Sequence, residues 1–378
     1  MKQIPMRVLH IITGLDDGGA EAVLFRMCKF DKKYQHIVIS FQAKQKYESL
    51  LQKFNISVHT LNFSNSSINF FGLFKLFKLI RQIKPDVVQT WMPHADLIGG
   101  VLARIAGVKK IFWGVHHANL IKGKINRLVI MVVRLNALLS NLVPTKIIYC
   151  AEKSREVQES IGFKKSKGVI VHNGYDTDSF FQDSSLDHVI RNELGIPPET
   201  FLIGHVGNYH PLKDQETLIK SLRYLDEKSV NFNAILVGNN LEPSNKNLVT
   251  LINENDLTKR IHLLGIRNDI TAIMNGIDIF MLSSISEAFP NVLNEAMACE
   301  TPCITTDVGD AAIIVGDTGW IVSPKDAEAL AKSSIKALEE KKNYHESWKQ
   351  RKKACRERII ENFSFEKMIK KYKEVWSA

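Results

Sequence analysis

The 378 residues exceed what one ordinary hydrophobic core accommodates, so the length predicts two domains of roughly 190 residues each. A hydrophobic content of 45% and a charged content of 24% exclude a disordered or fibrous chain, and five scattered cysteines with no CxxC pair argue against a disulfide frame or a zinc knuckle. The net charge of +10 divides unevenly: residues 1–180 carry 26 Lys and Arg against 12 Asp and Glu, and the other 198 carry 24 against 28, so the first half is the one built to meet polyanions.

The N-terminal stretch "MKQIPMRVLHIITGLDDGG" has neither the long apolar core nor the cleavage site of a signal peptide, and the expected location is cytoplasmic. Its apolar run 7–13 predicts the first strand. In the following "TGLDDGGAE", Gly18 and Gly19 introduce a helix beginning near Ala20. Glycines there let a phosphate approach free helix N–H groups, although the stretch is not GxGxxG and suits a plain strand-to-helix turn equally well. Further strands are expected at 36–40, 86–91, 110–115 and 146–150. Two helical stretches, 69–85 ("NFFGLFKLFKLIRQIKP") and 122–144, are both basic and very apolar, and no acid occurs between Asp96 and Glu152. Neither stretch holds the 18 uninterrupted apolar residues of a membrane span. They suit either the surface of an anionic membrane or a parallel sheet with lysines at its rim.

Around 175–200 the chain turns polar and ends in a Pro-Pro pair, which marks a domain boundary. Strands are then expected at 201–207, 232–238, 260–265, 277–283 and 302–307. Continuous apolar strands alternating with helices predict parallel sheets covered on both faces, as two doubly wound α/β domains. Ligands of such sheets bind beyond the carboxyl ends of the strands, so the residues following each strand are the candidates. After 201–207 come Gly207, Asn208 and Lys213, a lysine at a helix start where the macrodipole disfavours it, unless an anion lies near. After 277–283 comes "SEAFPNVLNEAMA". Pro290 suits a first helical turn, the amides of Asn291, Val292 and Leu293 can hold a phosphate, and Glu287 and Glu295 are placed to accept sugar hydroxyls on either side of it. Acids that merely complement a helix dipole give the same pattern.

Five motifs in order carry a resemblance over nearly the whole chain. They are "RVLHIITGLDDGGAE", "VIVHNGYDTDSF", "VGNYHPLKDQETLI", "IHLLGIRNDI" and "SEAFPNVLNEAMACETPCITTDVGDAAIIVGDTGWIV". Together they resemble the retaining glycosyltransferases of family four, with an E-x7-E signature at Glu287 and Glu295. The resemblance implies an α/β, GT-B fold of two Rossmann-like domains facing across a cleft: an acceptor domain over 1–180, a nucleotide-sugar domain over 181–360, and a final helix, 361–378, crossing back to the first domain. It implies that Glu287 contacts the donor sugar and Glu295 the ribose. Lys213 and the amides of Asn291 to Leu293 would hold the diphosphate, with Gly18 and Gly19 facing the same phosphates. His116, with His117 as the alternative, would lie by the donor sugar, and Arg267 on the base side. Asn208 departs from the family's usual arginine, and Ala288 from a common glycine. The Asp176-x-Asp178 pair falls in the linker, so no metal or other cofactor is expected beyond the nucleotide-sugar co-substrate, a UDP-sugar.

The activity implied is a retaining hexosyl transfer onto a saccharide acceptor. The basic first half points to a polyprenyl-diphosphate-linked one, handled peripherally at an anionic inner membrane face. A nucleotide-sugar 2-epimerase shares the fold but needs no basic acceptor half. A nucleic-acid binder would explain the charge, but no recognition pattern for nucleic acid is visible.

Overall fold

The computed structural model describes residues 5–16, 18–43, 46–63, 70–116 and 126–377. The chain forms two compact units: Met1–Gly174 together with Phe365–Ala378, and Tyr175–Ser364.

The first unit is a parallel sheet of seven strands: β1 (Arg7–Ile12), β2 (Gln35–Ser40), β3 (Ser57–Thr60), β4 (Val87–Trp91), β5 (Lys110–Val115), β6 (Lys146–Tyr149) and β7 (Gly168–Ile170). Their order is β3-β2-β1-β4-β5-β6-β7. The helices between them are α1 (Gly19–Phe30), α2 (Lys46–Lys53), α3 (Phe70–Ile83), α4 (Pro93–Ile105), α5 (Arg127–Leu139) and α6 (Glu152–Ile161). Alternation along each strand divides the core between the two faces of the sheet. In β1, Leu9 and Ile11 pack with Leu76 and Ile80 of α3, Ala95 and Ala103 of α4, and Val133 and Ala137 of α5. Val8 and Ile12 pack on the other face, with Val23, Leu24 and Met27 of α1.

The second unit opens with the short helix α7 (Val189–Leu194). Its six parallel strands are β8 (Phe201–Val206), β9 (Phe232–Val237), β10 (Ile261–Gly265), β11 (Ile279–Leu282), β12 (Cys303–Thr306) and β13 (Trp320–Val322), in the order β10-β9-β8-β11-β12-β13. The intervening helices are α8 (Gln215–Glu227), α9 (Lys246–Glu254), α10 (Ile270–Gly276), α11 (Asn291–Ala298) and α12 (Ala311–Val315), followed by α13 (Ala327–Asn343) and α14 (His345–Phe363). Leu218 and Leu222 of α8, Leu248 of α9, Leu330 of α13 and Trp348 of α14 share one core with Ile203, Leu236 and Met281 of the sheet.

All ten strands expected from the apolar runs are present, and the described residues add three more: β3, β7 and β13. The last helix, α15 (Phe365–Ser377), belongs to the first unit. It repeats apolar residues at helical spacing, and Phe365, Met368, Tyr372 and Trp376 are all buried against the α1 face of that sheet. The Trp376 Nε1–H donates to Gln89 Oε1 at 3.1 Å, and Lys110 Nζ reaches the Trp376 carbonyl at 3.1 Å. The five cysteines are buried free thiols. Among the described residues no helix is long and apolar enough to cross a membrane.

Candidate active site

In the second unit the chain reverses its direction of strand addition between β8 and β11, which are neighbours in the sheet. At such a switch point the loops leaving the carboxyl ends of the two strands diverge and leave a crevice. The loop after β8 carries Gly207, Asn208 and Lys213, and Asp214 closes it as the N-cap of α8, taking Thr217 Oγ1–H at 2.7 Å. Lys213 therefore precedes the helix instead of opening it. The loop after β11 runs alongside: Ile285 N–H donates to the Leu212 carbonyl at 2.9 Å, and Ser283 Oγ to the Lys213 carbonyl at 2.8 Å. This backbone pairing brings Lys213 Nζ to 2.6 Å from Glu287 Oε1, across 74 positions of sequence. Ser284 Oγ donates to the same carboxylate oxygen at 2.7 Å.

The Glu287 loop is also held from the β12 side. Thr306 Oγ1 donates to the Ser284 carbonyl at 2.6 Å, and Asp310 N–H to the Ala288 carbonyl at 2.9 Å. Between them Gly309 adopts φ +56°, and a side chain there would press within 2.6 Å of the Glu287 carbonyl, so only glycine fits. Beyond Glu287, Pro290 sits one place earlier than expected, as the residue before α11, with Asn291 and Val292 as its first two helical residues. The Leu293 N–H already donates to the Pro290 carbonyl at 3.1 Å. An anion at this helix tip would thus look to Asn291 and Val292, with Leu293 removed from the expected set of donors. Glu295 lies one turn further along and is half-buried.

The other expected residues of this unit are distributed unequally. The Asn208 side chain is exposed at the end of β8, and its carbonyl accepts from Gln215 Nε2 at 3.0 Å. Arg267 follows β10, but its guanidinium is committed: Nη1 and Nη2 grip Glu193 at 2.7 and 2.9 Å, and Nε and Nη2 grip Asp269 at 2.8 and 2.7 Å. Those carboxylates hold its pKa above the usual arginine range. A base-side contact from this guanidinium would have to compete with two acids. His205, buried beneath the β8 loop, has its pKa pushed down to about 4, first by burial and further by the Lys213 charge, so its ring is neutral near pH 7. In the linker Asp176 accepts Ser179 Oγ at 2.7 Å and two backbone N–H groups, the geometry of a side-chain-capped turn.

In the first unit the switch point lies between β1 and β4. Gly18, in extended conformation, is the N-cap of α1, and Gly19 is its first residue. His116 follows β5, and its ring stacks on Trp91 with centroids 4.9 Å apart and planes at 21°. His117 lies outside the described residues. Trp91, Ser284 and Gly309 were not among the expected site residues. Each nevertheless follows or ends an apolar strand, which is the signal that could have found them.

A family model described as glycosyl transferases group 1 matches residues 187–354, and one described as glycosyltransferase family 4 matches residues 17–179. The chain is 24% identical over 312 residues to UDP-Gal:alpha-D-GlcNAc-diphosphoundecaprenol alpha-1,3-galactosyltransferase of Escherichia coli, spanning 81% of this chain and 78% of that one. It is also 24% identical over 345 residues to the N,N'-diacetylbacillosaminyl-diphospho-undecaprenol alpha-1,3-N-acetylgalactosaminyltransferase of Campylobacter jejuni, with 87% and 89% covered. Among solved structures, Alr3699/HepE of Anabaena in complex with UDP superposes with a TM-score of 0.86 at 22% identity, over 98% of this chain and 100% of that one. The HepE likeness shows the shared fold, and since the two family models, one on each unit, between them match most of its length, the chain belongs to the glycosyltransferases that they describe.

Proposed function

We propose that this glycosyltransferase moves a hexose from a UDP-sugar to a lipid-linked saccharide with retention of anomeric configuration and without a metal ion. The observation that carries the reading is the Lys213–Glu287 pair at 2.6 Å on the β8/β11 switch point. It sets a cation and a carboxylate together just ahead of the α11 tip. The donor's diphosphate would take Lys213 Nζ and the Asn291 and Val292 amides, and Glu287, freed of its partner but still held by Ser284, would turn to sugar hydroxyls. In the step itself the bond from the anomeric carbon to phosphate breaks as the acceptor oxygen bonds on the same face. The acceptor proton passes to the departing phosphate oxygen. The fixed cation and amides stabilise the charge that develops on that leaving group, the role a metal has elsewhere.

The acceptor class is supported by the two undecaprenol-linked relatives and by the surface of the first unit. Phe70, Phe71 and Phe74 of α3 are 82%, 84% and 62% exposed, beside Lys75, Lys78 and Arg81. Leu128, Met131 and Leu138 of α5 are exposed in the same helical layer. Apolar side chains ringed by cations suit the headgroup region of an anionic bilayer, where the enzyme would meet a lipid-linked acceptor peripherally at the cytoplasmic leaflet.

The test is a panel of UDP- and GDP-sugars with undecaprenyl-diphosphate N-acetylglucosamine as acceptor, run with and without EDTA. The expected product is an alpha-linked disaccharide lipid from one UDP-sugar, formed equally with chelator. Loss of product in EDTA with recovery on manganese would overturn the metal-free reading. A beta-linked product would overturn retention, and a donor epimerised in the absence of acceptor would overturn transfer altogether.

A further inference from the structure

We propose that Trp91 is a positioning residue for His116, its indole face carrying the imidazole and its N–H anchored by a buried relay through His10, His36, Asp31 and Lys373. The proposal rests on the reading that His116 takes part in sugar transfer.

The relay is directional, and its direction follows from groups with a single hydrogen-bonding role. An indole nitrogen only donates, and Trp91 Nε1 lies 3.1 Å from His10 Nδ1. His10 Nδ1 is therefore an acceptor, so in the neutral ring Nε2 carries the proton and donates to His36 Nδ1 at 2.8 Å. That leaves His36 Nε2 as the protonated nitrogen, in electrostatic contact with Asp31 Oδ2 at 3.3 Å. A carboxylate only accepts, and its other oxygen takes Lys373 Nζ at 2.8 Å. Burial holds the His10 pKa well below the usual histidine range, in keeping with a ring whose Nδ1 must stay bare. Cys28, His10 and His36 are close enough to share an ion. Here the two histidines instead face one another through their His10 Nε2–His36 Nδ1 hydrogen bond, and burial raises the Cys28 thiol pKa.

The backbone brings the relay to the carboxyl edge of the sheet. Trp91 is the last residue of β4, paired in register with Gly114, and His116 lies two places beyond that partner. Met92 follows with φ +79°, an uncommon conformation for a residue with a side chain, tied by its N–H to the Gly114 carbonyl at 3.2 Å. Gly114 itself has no room for a side chain, since a Cβ would come 2.7 Å from the Thr90 carbonyl. The indole also lies near-parallel to the ring of Tyr372 of α15, with centroids 6.1 Å apart and planes at 24°. The imidazole and the phenol are thus both near-parallel neighbours of the indole, whose N–H is held by His10.

The test uses the full chain, with UDP release from UDP-galactose and UDP-glucose and ring-proton spectra of the histidine-labelled protein. In the unsubstituted protein the His116 ring protons should resonate upfield, because they lie over an indole face. His10→Phe removes the acceptor for Trp91, should move those resonances, and should lower kcat roughly fivefold with donor KM unchanged, the scale of one net hydrogen bond. His10→Gln, whose amide oxygen can accept, should restore both. The kcat loss from His10→Phe should vanish in a His116→Ala background, whereas general loosening of the core would persist there. Unmoved His116 resonances in His10→Phe, or an undiminished loss in the double variant, would overturn the proposal alone. His116→Ala turning over like the unsubstituted enzyme would remove the reading on which it rests.

Discussion

Lys213 and Glu287 neutralise one another across 2.6 Å, and under the proposed mechanism each holds the other's place until a diphosphate arrives. Their side chains retain 26% and 15% exposure, and partly solvated pairs contribute at most about 1 kcal/mol to stability. The value of Lys213 should therefore show in turnover. Lys213→Ala should lower kcat roughly 30- to 800-fold, equivalent to about 2–4 kcal/mol of leaving-group stabilisation, while the thermal midpoint shifts by only a few degrees. Steady-state kinetics alongside a melting curve will decide it, and unchanged turnover would remove the role. The identity of these two residues was legible in the sequence, because a lysine at a helix entrance and acids flanking a helix tip are each locally anomalous. Their union was not, since it depends on the pairing of two loops through Ser283, Ile285 and Leu212. Nor was the commitment of Arg267 to Glu193 and Asp269, because Glu193 lies 74 positions away on α7.

Elements show the same division between local and distant causes. The ten strands that read clearly as apolar runs include every interior strand of both sheets, whereas β3, β7 and β13 are all edge strands. An edge strand meets water along one side and has fewer apolar positions to display, and none of these three contains a fully buried residue. The charge count misleads at this scale as well. Arg104 donates to the carbonyls of Val143, Val108 and Lys109, and Lys167 to those of Asn141 and Pro144, so part of the basic excess caps chain ends instead of meeting a partner. The proposed membrane face lies on α3 and α5, where exposed apolar side chains stand beside a few of the cations. Replacing Phe70, Phe71 and Phe74 together with serine should abolish co-sedimentation with phosphatidylglycerol vesicles while leaving the fold intact, since α3 packs on the sheet through Leu76 and Ile80. Binding by the unsubstituted chain should weaken as salt rises from 0.05 to 0.5 M, roughly the range over which screening removes the contribution of the lysines. Vesicle binding indifferent to both changes would place the docking surface elsewhere.

At the scale of the whole chain, the first unit is closed by its last segment, because α15 fills the α1 face of a sheet whose strands ended some two hundred residues earlier. The family resemblance of the sequence implied that return, for the segment that includes "FSFEKMIKKYKEVW". The polar clasp that accompanies it was not legible, since it joins Lys373 to Asp31 across more than three hundred positions, with His36 beside Asp31 in sequence. Burial alone would raise the Asp31 pKa, but the hydrogen bonds from His36 and Lys373 outweigh it and hold the carboxyl at about 2. An unfolded aspartate titrates near 3.9, so the folded value is the depressed one. The resulting stabilisation is complete above about pH 4 and is lost as pH falls through about 2, and a shift of this size corresponds to about 2 kcal/mol. Asp31→Asn should therefore lower the unfolding free energy by about that amount at pH 7, and the gap to the unsubstituted chain should close toward pH 2. Urea titrations of both proteins at pH 7, 4 and 2.5 test this, because groups common to the two cancel in the difference. A gap that stays constant with pH would mean that Asp31 acts through packing alone, and that the ionic clasp on α15 contributes nothing to holding the first unit closed.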